Sequence, residues 1–201
     1  MNRRKFSKLL CLSAALTVGA GSRAASAASI PNDIFTVLRG RHSVRSYTGQ
    51  DISEEDEQKI LRYAMMAPSA LNEQPWEFIV IRDKKILEQI GSANRNASFA
   101  ADAPLAILLC LNERKEKIKG MSIIDMGACA ENLMLAATGL GIGSVFTGIY
   151  PHKDRMEAFS KLCKLPDYIQ PIGLIVLGYA QISNHRPADR FNPDAIHLNE
   201  W

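Results

Sequence analysis

The chain has 201 residues, enough for one domain with a sizeable core, and carries 24 lysines and arginines against 21 aspartates and glutamates. Five of those bases and none of the acids fall within residues 1–27, so the remainder holds 19 bases against 21 acids and its net charge is near −2. The basic balance of the whole chain is therefore no pointer to nucleic acid, and four cysteines without a C-x-x-C spacing or a histidine partner give neither a disulfide framework nor a zinc site.

The N-terminal residues are expected to form a signal peptide over 1–27. Arg3, Arg4 and Lys5 precede an uncharged apolar run, Leu9 to Ala20, too short to span a bilayer, and Ala25-Ser26-Ala27 gives the small-residue pattern that a signal peptidase accepts. The spacing around Arg3-Arg4 resembles a twin-arginine signal, which exports proteins already folded, with an ordinary secretory signal or an uncleaved anchor as alternatives. This places the mature protein outside the cytoplasm, with no stable membrane span after processing. Residues 28–201 form one domain, without internal repeats or a low-complexity linker.

In chain order, Ile34 to Leu38 predict a short amphipathic helix that stops at Gly40. Ser53 caps a second helix running through Ile60, Leu61, Ala64 and Met65, which Pro68 ends. Phe78 to Ile81, Leu105 to Cys110 and Leu174 to Leu177 are short apolar runs that suit strands buried on both faces. Met126 to Leu140 is helical and apolar all round, so it must be buried on nearly every side, in a large core or against a partner. Val145-Phe146 follows. Strands interleaved with helices give an α/β or α+β sandwich. Cys110, Cys129 and Cys163 fit buried small apolar residues.

Two clusters carry chemistry. Arg41-His42-Ser43-Val44-Arg45-Ser46-Tyr47 joins two guanidinium forks and two serine hydroxyls just past a helix-ending glycine, which suits a phosphate clamp or, equally, a solvated basic turn. In Ala67 to Phe78 two prolines stiffen an extended loop on which Ser69, Asn72 and Gln74 offer donors and acceptors. Such loops build sites for flat heterocycles, or else satisfy their own backbone with Trp76 as a core anchor. His152, His185 and His197 belong to no catalytic pattern, and no Ser-His-Asp or Cys-His constellation is present.

RHSVRSY, then APSALNEQPWEF, GACAENLMLAATGLGIGS, TGIYP and a final RPADRF together resemble the nitroreductase family of FMN proteins, in the family's order and over essentially the whole of 28–201. The resemblance implies an α+β fold, a three-layer α/β/α sandwich, in an intertwined homodimer with each FMN at the interface. It also implies that Arg41, Ser43 and Arg190 bind the FMN phosphate, assisted by Arg186, and that Pro68, Ser69 and Asn72 lie against the flavin of the other subunit. Arg45 stands beside the pyrimidine edge of the ring, Gly148 supplies a backbone donor near N5, and Asn96 is a polar contact to the ring. His42, Ala70 and Thr147, which neighbour these positions, complete the cofactor-binding set, and Arg45 and Gly148 are the catalytic candidates. No metal is implied. Ala188 replaces a second base that many relatives have near the phosphate, Phe99 stands where some relatives have a lysine near the ring, and Thr147 stands where some have an acid before the glycine.

The implied reaction is ping-pong, from NAD(P)H through FMN to a nitroaromatic, quinone or similar acceptor, with the protein positioning the cofactor and tuning it. Export conflicts with a cytoplasmic NAD(P)H pool, so another donor is the alternative. A dehalogenating or flavin-fragmenting relative, or a non-catalytic FMN electron carrier, are the rival functions.

Overall fold

The computed structural model describes residues 33–182 and 189–201; the expected signal peptide and Arg186 lie outside the described residues. Helix α1 spans Ile34–Gly40, with the Asp33 carboxylate accepting from the Phe35 N–H at 2.9 Å. Helix α2, Glu54–Ala64, starts as expected at Ser53, whose hydroxyl accepts from the Asp56 N–H. Its first turn carries Glu54, Glu55, Asp56 and Glu57, which favour the positive end of the helix dipole. The helix ends at Ala64, before Pro68 is reached, in a turn closed by Ala67 N–H to Ala64 C=O.

Four strands follow: β1 (Trp76–Ile81), β2 (Leu105–Asn112), β3 (Gly143–Gly148) and β4 (Ile169–Gly178). They form one antiparallel sheet in the order β1-β2-β4-β3. The central strands β2 and β4 are buried on both faces, as the apolar runs require. Strand β1 departs from that expectation: it is an edge strand, partly covered, with Val80 exposed.

The alternation of β2 divides the core in two. Leu105, Ile107, Leu109 and Leu111 face α2 and the long helix α4 (Met121–Gly139). Ala106, Leu108 and Cys110 face α3 (Lys84–Ala93), a 3-10 segment over Arg95–Asp102, and α5 (Lys153–Cys163). Helices on both faces of one antiparallel sheet make the three-layer α+β sandwich.

Helix α4 begins five residues before the expected Met126. Its first turns include Ser122 and Asp125, polar but buried because each has a partner: the Ser122 hydroxyl donates to Glu73, and Asp125 accepts from the Ala70 N–H. Cys110 and Cys129 are buried, and desolvation pushes both thiols up to about 12, so neither is a thiolate at neutral pH. Cys163 is only partly buried, at the end of α5 where the core thins, short of the full burial expected. Among the described residues no helix is long and apolar enough to cross a membrane.

Candidate functional site

The segment bearing the first arginine cluster is laid along the open edge of β3 and the end of β4. Ser43 bridges Ser144 in parallel and Tyr47 bridges Ala180, with Val44 N–H donating to Ser144 C=O at 3.0 Å. Val44 and Tyr47 point inward and are buried; Arg45 between them is exposed. Glycines make room for the two anchors. A Cβ at position 143 would come within 2.8 Å of Val44, and one at position 178 within 2.7 Å of the Tyr47 ring. The Tyr47 hydroxyl donates to Val44 C=O at 2.7 Å, and burial holds its ionisation well above the ordinary tyrosine range against the opposing charge of Arg45.

Arg45 thereby faces a cavity of about 380 Å³, lined also by Asn96, Phe146, Thr147, Gly148 and Arg155. Four of the residues named from the sequence, Arg45, Asn96, Thr147 and Gly148, converge there. The volume lies within the range of small-molecule sites, and among the described residues no carboxylate lines the cavity to oppose an electron-rich or anionic ligand. A second, apolar cavity of about 370 Å³, lined by Met126, Ala130 and Met134 of α4, shares Phe146 with the first.

The register of the sheet explains what Gly148 offers. Ile149 N–H donates to Ile172 C=O, so the preceding pair, Gly148 and Gly173, is of the non-hydrogen-bonded kind. Strand β3 is an edge, and both backbone groups of Gly148 point outward from it. A Cβ here would meet no atom of the described residues closer than 3.9 Å, so an alanine-sized side chain would find room within the chain. An outward N–H flanked by Arg45 and Asn96, with no Cβ in the way, is a cradle suited to a flat heterocycle. The Thr147 hydroxyl, by contrast, is committed to the sheet, donating to Leu174 C=O at 3.1 Å.

The remaining named residues lie outside the lining of this cavity. Arg41 pairs through Nε with Glu131 of α4 at 3.2 Å, and the His42 Nδ1 is 2.8 Å from Gly40 C=O. Arg190 is exposed. In the Pro68–Asn72 loop the Ala70 N–H is taken by Asp125, the Ser69 hydroxyl accepts from the Gln74 N–H, and the Gln74 side chain donates to Asn72. The loop thus satisfies much of itself, with Trp76 buried in the core beside it. Leu71, Asn72 and Gln74 hold positive φ of 48°, 52° and 47°, and Glu73 between them is fastened by the Lys117 N–H and the Ser122 hydroxyl, which lower its pKa.

Sequence reasoning missed Phe146 and Arg155. Phe146 lies over Gly173 of β4, where a Cβ would stand 2.3 Å from its ring. Replacing Gly173 by Val should force the ring aside, cost about 1–3 kcal/mol, and lower Tm by roughly 2–12 °C in a thermal melt. An unchanged melt would show that Phe146 moves freely. Arg155, in the first turns of α5, is signalled by no motif.

A family model described as the nitroreductase family matches residues 38–109 and 92–179. A Methanothermobacter thermautotrophicus protein named "Putative NADH dehydrogenase/NAD(P)H nitroreductase" is 40% identical over 169 residues, covering 84% of this chain and 88% of that protein. A Bacillus subtilis FMN reductase (NAD(P)H) is 26% identical over 79% of this chain and 68% of its own length. The solved structure of an FMN-dependent nitroreductase from Clostridium difficile superposes with a TM-score of 0.77 at 25% identity, covering 84% of this chain and all (100%) of that one. With a family model covering most of the described fold and a relative of this identity aligned over most of both chains, the chain belongs to the nitroreductase family.

Proposed function

We propose that the protein is an FMN-dependent oxidoreductase that takes electrons from NAD(P)H and passes them, by a ping-pong route, to nitroaromatics, quinones or similar small acceptors. The observation that carries this reading is the convergence of Arg45, Asn96 and the outward N–H of Gly148 on one cavity that, among the described residues, no carboxylate lines. Family membership and the names of the relatives, an FMN reductase and an FMN-dependent nitroreductase among them, support it. Bound FMN supplies a two-electron carrier that accepts from one substrate and gives to the next. The chain's part is to bind and orient it. Arg45 places a fixed positive charge, Gly148 an edge donor and Asn96 a carboxamide at the ring, while Arg41, Ser43 and Arg190, with Arg186, hold the phosphate.

Anaerobic mixing of the purified, FMN-loaded protein with NADH or NADPH tests the reading. Rapid bleaching of the flavin, followed by recovery of the colour when a quinone is added, is the expected result. A flavin that stays oxidised under both donors would leave a carrier rather than a reductase.

The working form on this reading is a homodimer. Ile34, Phe35 and Leu38 of α1, Ile124 of α4, and Phe191, Leu198 and Trp201 near the C-terminus are exposed apolar side chains that a second subunit would cover. Light scattering should give twice the subunit mass, and a flavin-loaded monomer would refute it. Export, argued from Arg3-Arg4 and Ala25-Ser26-Ala27, belongs to the same proposal. Protein from the native cell should begin at Ala28, whereas an intact Met1 on soluble cytoplasmic protein would contradict it.

A further inference from the structure

The outward carbonyl of Gly148 is not left to solvent. Arg155 of α5 donates to it from Nη1 at 3.0 Å, and Asn94 from Nδ2 at 3.5 Å. The two donors arrive from different elements, α5 and the junction between α3 and the 3-10 segment, on the side of β3 that lacks a neighbouring strand. An edge carbonyl needs a partner, but water would ordinarily serve.

Asn94 is 3% exposed, and its other amide atom is also engaged: Oδ1 accepts from the Asn96 N–H at 3.1 Å. One buried carboxamide therefore ties Gly148 to the start of the segment that carries Asn96, and both tied residues line the cavity that Arg155 itself lines. In an extended residue of an edge strand the N–H and C=O point to the same side, so a clamp on the Gly148 oxygen also fixes the direction of its N–H.

We propose that Asn94 and Arg155 are positioning residues of the redox site, a two-donor clamp on Gly148 that sets the edge N–H and Asn96 in register for the flavin ring. The inference rests on the FMN reading. Neither side chain takes part in electron transfer; each acts through the geometry of Gly148, and preorganised donors of this kind act by being fixed before the reaction begins.

The test uses the full-length FMN-loaded protein with Arg155→Met, Arg155→Lys and Asn94→Asp, the last of which keeps the acceptor for Asn96 but removes the donor to Gly148. Reduction by NADH in stopped flow should slow about tenfold in Arg155→Met and Asn94→Asp, while the FMN Kd stays within about threefold of wild type, and Arg155→Lys should recover most of the rate. In the FMN-free proteins, amide hydrogen exchange over residues 146–150 should quicken in the same two variants and not in the lysine one. Wild-type rates and exchange in both variants, or a loss of rate that Arg155→Lys fails to restore, would overturn the clamp. If wild-type protein itself takes up no FMN, the FMN reading fails, and the exchange comparison still decides whether the clamp holds Gly148.

Discussion

Replacing Arg41 by Ala is expected to weaken FMN binding by about 10- to 150-fold, the effect of losing roughly 1.5–3 kcal/mol of charge-assisted hydrogen bonding to a phosphate. Arg41 follows α1 directly, where its N–H donates to Val37 C=O, so the helix end fixes its backbone. Its Nε is 3.2 Å from Glu131, and its side chain is 21% exposed. The ion pair engages one edge of the guanidinium and orients the remaining fork, the geometry a phosphate needs. Arg190→Ala should behave alike, since both cations are proposed for the same phosphate. Equilibrium titration of the flavin-free protein with FMN measures both. Wild-type affinity in both variants would reduce Arg41 to a partner for Glu131 and leave the phosphate site elsewhere.

Arg45→Gln should act differently, by lowering the two-electron potential of the bound FMN. A fixed cation beside the pyrimidine edge favours the reduced form, which tends to carry negative charge there, over the oxidised one. At an effective dielectric near 20 a unit charge at about 4 Å contributes up to ~4 kcal/mol, and the exposure of Arg45 reduces this to about 1–3 kcal/mol, or roughly 20–65 mV. The variant should also be reduced more slowly by NADH while holding FMN more tightly than Arg41→Ala does. Spectroelectrochemical titration reads the potential directly. An unchanged potential together with loss of FMN would make Arg45 a phosphate or structural residue.

The separate roles proposed for the two arginines come from the resemblance alone; RHSVRSY by itself suits a phosphate clamp or a solvated basic turn equally. The fold was legible where burial is complete. The apolar runs of β2 and β4 announced strands, because full burial forces nearly every position to be apolar, and the apolar run of α4 announced a helix, although within this chain α4 is not buried on every side as expected: Ile124 and Gly127 are exposed. Edges were less legible: β1 carries Glu77 within its span because one side is partly open. The start of α4 escaped because Ser122 and Asp125 look like surface residues until their partners, Glu73 and the Ala70 N–H, are seen.

The same holds for the site. Arg45, Thr147 and Gly148 sit in recognisable motifs, but what brings Asn96 and Arg155 to them is tertiary. Asn94 caps a 3-10 segment locally and reaches Gly148 across 54 positions; Arg155 lies on α5, which has only Phe159 fully buried and so a weak apolar signature. Neither hydrogen bond leaves a periodicity in the chain: Asn94 is 54 positions from Gly148, and Arg155, only seven away, reaches it across the turn between β3 and α5.

The central claim is that the cavity lined by Arg45, Asn96 and Gly148 receives the isoalloxazine of FMN. A crystal structure of the yellow, purified protein tests it most directly. The account predicts N5 of the flavin within hydrogen-bond distance of the Gly148 N–H, the pyrimidine edge at Arg45, and the phosphate at Arg41. A flavin bound elsewhere, with this cavity filled by protein side chains, would contradict it.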